Sequence, residues 1–352
     1  MEGTMRAVRL YAPADLRCVE IPIPQPGADE VLIKVKAVGI CGSDPARVME
    51  KGTYSFPTTI GHEFAGEISD VGADVQNWNV GDRVTIVPLV PCYECEYCQI
   101  GEYALCDDYS YYGSREDGAL ADYIKVKQAN LLRLPENVSF EEGACTDPCS
   151  VALHAVRKGE IKPGYTVVVL GCGPIGHFTI EWAKICGAAE VIAVDVDGAK
   201  LAIAQQIGAD LCIDASREDP VKVILGHTGG EGAECVVEMA GSQKTQEQAI
   251  LITKKMGTAV FCGISNKDLP LSKATVDGLL RKEIRIIGSW NSSFAELPVH
   301  DWKCSLRFMS QGQIQCQPLI THRFSLEEAP DVFKRVYKRE ESFNKVLFLI
   351  DK

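Results

Sequence analysis

The sequence predicts an α/β protein: a compact, mostly β domain into which a doubly wound parallel sheet is inserted. Three observations predict it. The chain has 352 residues, enough for two domains at roughly 150 residues each. As far as about residue 150 it reads as short, alternating apolar runs broken by turn residues. From about Lys162 it turns to continuous apolar runs separated by helical patterns, and strands buried on both faces that alternate with helices make a parallel sheet.

In chain order, Val31-Leu-Ile-Lys-Val-Lys-Ala-Val38 nearly alternates and is rich in β-branched residues, which predicts a strand. Pro24 to Gly27, Val80-Gly-Asp82 and Glu116-Asp-Gly118 are turn signals that punctuate this region. Thr166-Val-Val-Val-Leu170 predicts a buried strand, followed by a glycine turn and a helix from Ile175 to Cys186. Val191-Ile-Ala-Val194 is the next strand and Ala199 to Ile207 the next helix. Cys235-Val-Val237, Thr258-Ala-Val-Phe261 and Ile284-Arg-Ile-Ile287 continue the series. A strand-like tail, Lys345-Val-Leu-Phe-Leu-Ile350, is expected to rejoin the first domain. The expected domains are therefore residues 1–152, 153–291 and a return over 292–352.

Lys and Arg total 36 against 48 Asp and Glu, a formal net charge of -12. A nucleic-acid partner needs a basic stripe, so that class is excluded. A small anionic substrate is not, since one or two arginines would serve it. No stretch reads as a membrane span or signal peptide, and the cytosol is the expected address. In a reducing compartment, clustered thiols among the 15 cysteines read as metal ligands rather than disulfides. The scattered ones (Cys18, Cys186, Cys212, Cys235, Cys262, Cys304 and Cys316) read as small apolar filler.

Cys92-x2-Cys95-x2-Cys98-x7-Cys106 is the most specific motif. Four thiolates so close in the chain can close around one tetrahedral ion, and all-thiolate coordination leaves no open position, so a structural zinc is expected. An iron–sulfur cluster is disfavoured by the long last gap and by the absence of a following Pro.

Gly171-Cys-Gly173-Pro174-Ile175-Gly176 follows a predicted strand and opens a predicted helix, the context in which a glycine fingerprint binds a dinucleotide. Gly171 permits the tight turn, Gly173 lets backbone approach the pyrophosphate, and Gly176 allows helix and strand to pack closely. The helix start offers free N–H groups to the phosphates. Asp195 ends the next apolar run, about twenty residues on, where a carboxylate accepts the ribose hydroxyls and repels a 2′-phosphate. The expected cofactor is NAD, with Lys200 a further candidate at the ribose.

Gly39-Ile-Cys41-Gly-Ser43-Asp44 and Gly61-His62-Glu63-Phe-Ala-Gly66 set potential ligands in glycine-flanked turns. Alone, a single His reads as a core residue and a single Cys as filler. In this order, with Gly81-Asp82-Arg83-Val84, the cysteine cluster and the glycine fingerprint, the segments resemble the zinc-containing medium-chain alcohol dehydrogenase family. The likeness covers nearly the whole chain. Within the family it is greatest to the polyol branch, the sorbitol and galactitol-1-phosphate dehydrogenases, with Gly288-Ser-Trp290 and the Pro88 to Pro91 lead-in closest to the latter.

The resemblance implies a GroES-like catalytic domain with an inserted Rossmann sheet, two zinc ions per chain, NAD, and oxidation of a secondary alcohol. It makes Cys41, His62 and Glu63 ligands of a catalytic zinc whose open position takes the substrate hydroxyl and lowers its pKa. Ser43 is then the proton acceptor, although a turn-forming Ser beside Asp44 accounts for it equally on spacing. Asp147, in Thr146-Asp-Pro-Cys-Ser150, stands where the polyol branch places a glutamate. A zinc with one thiolate and two carboxylates would carry a formal charge of -1, so Asp147 is expected as an outer or exchangeable ligand. A second departure is Ala46, where many members carry a relay His. Gly263, Ile264, Ser289 and Trp290 are implied to approach the nicotinamide.

A polyol phosphate is the leading substrate, with a free polyol and then threonine or a simple alcohol behind it. A phosphate needs a cation, and Arg47, Lys51, Arg115 and Arg281 are candidates, each otherwise a solvated surface charge. A reading of another class is a zinc-stabilised NAD-binding protein without dehydrogenase activity, which only Ala46 favours. The family likeness implies a homodimer or homotetramer.

Overall fold

A computed structural model describes residues 3–350, and the chain forms two compact units. One runs to Pro148 and resumes at Ser293; the other spans Cys149–Ser292.

The main sheet of the first unit has the order Leu131–Arg133, Arg83–Ile86, Glu63–Val71, Glu30–Gly39, Lys345–Leu349, Ile320–Phe324, and Tyr123–Lys127 also pairs with Glu30–Gly39. Glu30–Gly39 contains the strand expected over Val31 to Val38. Its Val31, Ile33, Val35 and Val38 join Phe64, Ile68 and Phe348 in one apolar core. Alternate residues of a strand share a face, so a period near two in the sequence becomes one buried surface. The register sets Gly39 opposite Glu63 on one side and opposite Leu347 on the other. The end of one antiparallel strand therefore meets the start of its neighbour. Asp15–Pro22, Thr4–Ala12 and Thr58–Thr59 form a second sheet, and Leu89–Val90 pairs with Ser110–Tyr111 in a short ribbon.

The second unit is a six-stranded sheet in the order Leu211–Asp214, Glu190–Asp195, Thr166–Leu170, Ala233–Glu238, Thr253–Phe261, Arg285–Gly288, parallel throughout. Its central strands are buried on both faces, which is why they read as unbroken apolar runs. The strand order reverses between Thr166–Leu170 and Ala233–Glu238, and such a reversal opens a ligand crevice at the carboxyl ends. The two helices expected after the glycine turn are Pro174–Ile185 and Gly198–Gln206. Thr253–Phe261 starts earlier than the sequence suggests, and its pairing with Ala233–Glu238 shifts register between Ala233 and Cys235. Among the described residues, no helix is long and apolar enough to cross a membrane.

Candidate metal centre and nucleotide site

Because Gly39 faces Glu63 across the ladder, the loop after one strand brings Cys41 beside His62 and Glu63 at the head of the other. Their ligand atoms lie within 4.8 Å of one another. Asp44, buried at the same place, anchors the first of the three: its Oδ2 accepts from the Cys41 backbone N–H at 3.1 Å. Its Oδ1 stands 3.7 Å from His62 Nδ1, near the ring but not hydrogen-bonded to it. Sequence reasoning named Asp44 only as a neighbour of Ser43; its place three residues after a cysteine ligand was the available signal. Ser43 Oγ donates to Cys41 Sγ at 3.3 Å. Tyr111 covers the site edge-on, its ring centroid 5.4 Å from that of His62. Burial pushes the Cys41 thiol up to about 11, with Asp44 adding to the rise. Burial likewise holds the Tyr111 hydroxyl well above its usual value.

Asp147 stands outside that three-residue group, so of the four ligands the sequence suggests, three converge and one does not. Asp147 lies in the first turn of the helix Thr146–Lys158, buried, and its Oδ1 has no hydrogen-bond partner. Burial raises its carboxyl to about 6, Asp44 reinforcing this and His62 opposing it. A thiol, an imidazole and a carboxylate converging beside a buried, unsatisfied carboxylate oxygen suit zinc, which takes sulfur, nitrogen and oxygen donors. Glu63 also touches the ammonium of Lys345, a residue nothing in the sequence marked, being one polar position at the head of an apolar strand.

The second cluster is Cys92, Cys95, Cys98 and Cys106, again within 4.8 Å of one another. The sulfur of Cys92 lies 3.4 Å from that of Cys106 and 3.9 Å from that of Cys98. Tetrahedral zinc with Zn–S bonds of about 2.3 Å sets sulfurs at separations of this order, far beyond a disulfide bond. None of the 15 cysteines is in a disulfide. Backbone N–H groups of Asp107 and Cys98 lower Cys95 to about 7, so part of the thiolate form is stabilised by the loop itself.

At the nucleotide crevice, Gly171 has φ +100°, and a Cβ there would lie 2.8 Å from the Ala240 nitrogen at the end of the adjacent strand. A Cβ on Gly176 would fall 2.0 Å from the Gly171 carbonyl oxygen, whereas one on Gly173 would meet nothing within 4 Å. The first and third glycines thus serve close packing, and the second leaves open space before a helix start with no side-chain cap and Pro174 in its first turn. Asp195 Oδ2 accepts from the Cys172 N–H at 2.6 Å, and Oδ1 from the Val196 and Asp197 N–H groups at 2.7 and 3.0 Å. Lys200 is tied in by its carbonyl, 2.9 Å from His177 Nε2. Phe261 pairs with Gly288 and its carbonyl accepts from the Ser289 N–H at 2.9 Å, so the segments that carry Gly263 and Ile264 and Ser289 and Trp290 leave the same end of adjacent strands. Ile264 is 60% and Trp290 49% exposed, large apolar surfaces left open at the strand ends. The crevice fits a dinucleotide.

The four candidate cations separate. Arg281 pairs with Asp277 at 2.9 Å in the nucleotide unit. Arg115 donates to the Tyr109 carbonyl at 2.8 Å and stacks between the Tyr54 and Tyr109 rings. Lys51 has interactions of its own. Arg47 has a buried Nε with no hydrogen-bond partner, and its charge acts on the Tyr111 hydroxyl.

Comparison with known proteins places these features in context. Residues 27–136 match the alcohol dehydrogenase GroES-like domain and residues 174–311 the zinc-binding dehydrogenase model. The chain is 36% identical to galactitol 1-phosphate 5-dehydrogenase of Escherichia coli K12 over 313 residues, 89% of this chain and 90% of that protein. A crystal structure of galactitol-1-phosphate dehydrogenase from Escherichia coli superposes with a TM-score of 0.92 at 34% identity, covering 98% of this chain and 100% of that one. Human sorbitol dehydrogenase is 34% identical over 339 residues, 94% of this chain and 92% of its own. A Sinorhizobium meliloti 1021 structure bound to NADP has a TM-score of 0.91 at 31% identity, covering 99% of both chains.

Proposed function

The chain belongs to the zinc-containing medium-chain alcohol and polyol dehydrogenases, and on that premise we propose that it oxidises a secondary alcohol of a phosphorylated polyol to the ketone, with NAD taking the hydride. Zinc, when bound, supplies a Lewis acid that acidifies the substrate hydroxyl, and the nicotinamide accepts the hydride. The rest falls to the chain's own residues. Cys41, His62 and Glu63 would hold the ion, and Asp44 anchors the backbone of the first. Ser43 Oγ, which donates to the Cys41 sulfur, would release that bond, take the substrate's hydroxyl proton and pass its own on to the cofactor ribose and solvent. With Ala46 in the relay position, that transfer to solvent would run without an imidazole. The Sinorhizobium relative carries NADP, so the fold alone does not choose between dinucleotides; the choice of NAD rests on the Asp195 carboxylate.

The observation that supports a phosphate over a free polyol is Arg47. Its side chain is the one among the four candidate cations with no hydrogen bond or ion pair among the described residues, and it lies toward Tyr111, which borders His62. A hydrogen bond to a charged group contributes about 1.5–3 kcal/mol. Arg47→Met should therefore lower kcat/KM for galactitol 1-phosphate by roughly ten- to a hundredfold and change that for sorbitol less than threefold. Steady-state kinetics with NAD on galactitol 1-phosphate, sorbitol and threonine test this. A native preference for sorbitol or threonine would overturn the phosphate.

A further inference from the structure

The metal centre includes a buried cation that the ligand set does not explain. Lys345 is 1% and Glu63 3% exposed, and the ammonium meets Glu63 Oε2. Its other contact is the Ile40 carbonyl at 3.3 Å. Lysine is almost never so buried without a partner. We propose that Lys345 is a positioning residue of the catalytic metal site: it holds one oxygen of Glu63, so that this carboxylate meets the ion through a single oxygen and with its charge partly neutralised. The inference rests on the reading of Cys41, His62 and Glu63 as ligands.

Three observations carry it. The first is charge. Zinc with the Cys41 thiolate and the Glu63 carboxylate would be formally neutral, and the buried carboxylates of Asp44 and Asp147 nearby bring the centre to -2. Lys345 cuts this to -1 and so preserves part of the electrophilic character on which alcohol acidification depends. The second is space. A Cβ on Gly39 would lie 2.5 Å from Lys345 Nζ and 2.6 Å from Glu63 Oε2, so the strand between them carries the one residue type that leaves room for the pair. The third is that the Ile40 carbonyl gives Lys345 a second acceptor, so the ammonium stays in place when Glu63 turns toward the ion. Removing the ammonium leaves both Glu63 oxygens to the metal.

The experiment compares wild type, Lys345→Met, Gly39→Ala and the double variant Lys345→Met/Glu63→Gln. Release of zinc to a chromogenic chelator and the visible bands of the cobalt-substituted protein are measured. Wild type should hold two zinc ions. Lys345→Met should release the catalytic one at least tenfold more slowly, and its cobalt bands should lose intensity as coordination number rises. Gly39→Ala, which leaves both charges but parts them, should move both readouts the same way. The double variant should abolish the slowing. A merely structural lysine would change the melting temperature alone, so release within twofold of wild type and unaltered bands in both single variants would overturn the proposal. Wild type with no zinc at Cys41, His62 and Glu63 would overturn the metal-centre reading itself.

Discussion

The Asp195 carboxylate accepts three backbone N–H groups, from Cys172, Val196 and Asp197, and its oxygens keep lone pairs for a ribose. It ties the glycine turn to the second strand and, on the proposed reading, would present charge to the cofactor. Asp195→Asn retains one acceptor oxygen and removes the charge, so the fold should survive. The ratio of kcat/KM for NAD to that for NADP should fall at least tenfold, about 1.4 kcal/mol; an unchanged ratio places cofactor choice elsewhere. Glu238 offers a test by pH. It is fully buried, and Oε1 accepts from the Ala240 and Gly241 N–H groups and from Thr245 Oγ1, while Oε2 has no partner. Burial raises its pKa against those bonds. A group whose folded pKa lies above its unfolded one contributes stability that is complete below the ordinary carboxylate range, near about 4.3, and is lost as pH rises through the raised value. Glu238→Gln should therefore gain melting temperature relative to wild type as pH rises across that window. A difference that stays flat with pH would show that the charge costs nothing there. Asp195 was legible in the sequence because it ends an apolar run at a fixed distance from three glycines. Glu238 and Lys345 were not, since their significance comes from what other strands bring against them.

Among the elements, the cysteine lobe has little besides its ligands to order it. Between Cys92 and Cys106 lie only the four-residue helix Glu96–Gln99 and the turn Tyr103–Leu105, too short to be stable alone. Metal binding and local folding are then one event. Cys98→Ser should lose one of two zinc equivalents, expose this segment to protease and lower the melting temperature by several degrees. Cys41→Ser should lose the other equivalent and nearly all activity, with a smaller change in melting temperature. Metal analysis and calorimetry on both variants check this; equal thermal losses would mean that both ions hold the fold. The lobe could be read from spacing because its ligands are neighbours in the chain. The catalytic centre could not, because Cys41 and His62 meet only through the pairing of Gly39 with Glu63, and a family likeness had to supply the association. The edge strand Leu211–Asp214 escaped notice for a related reason. Four residues with a polar end carry no period, and only the parallel partner Glu190–Asp195 makes them a strand.

For the molecule as a whole, the decisive feature is that the last strand is central to its sheet. Lys345–Leu349 pairs antiparallel with Glu30–Gly39 and parallel with Ile320–Phe324, so the first unit cannot close until the end of the chain is in place. Val346, Leu347 and Phe348 are buried. At about 1.5–3 kcal/mol for each large apolar side chain removed from water, their loss is comparable to the roughly 5–15 kcal/mol that holds a whole domain together. It would also open two strand edges to pairing with other molecules. The nucleotide sheet takes no strand from outside Cys149–Ser292. A chain ended after Phe343 should therefore lose the catalytic zinc and the melting transition of the first unit, and aggregate, while NADH binding followed by nicotinamide fluorescence persists in its soluble fraction. A truncated protein with full zinc content and an unaltered melting profile would show that the first unit is held by something other than this strand.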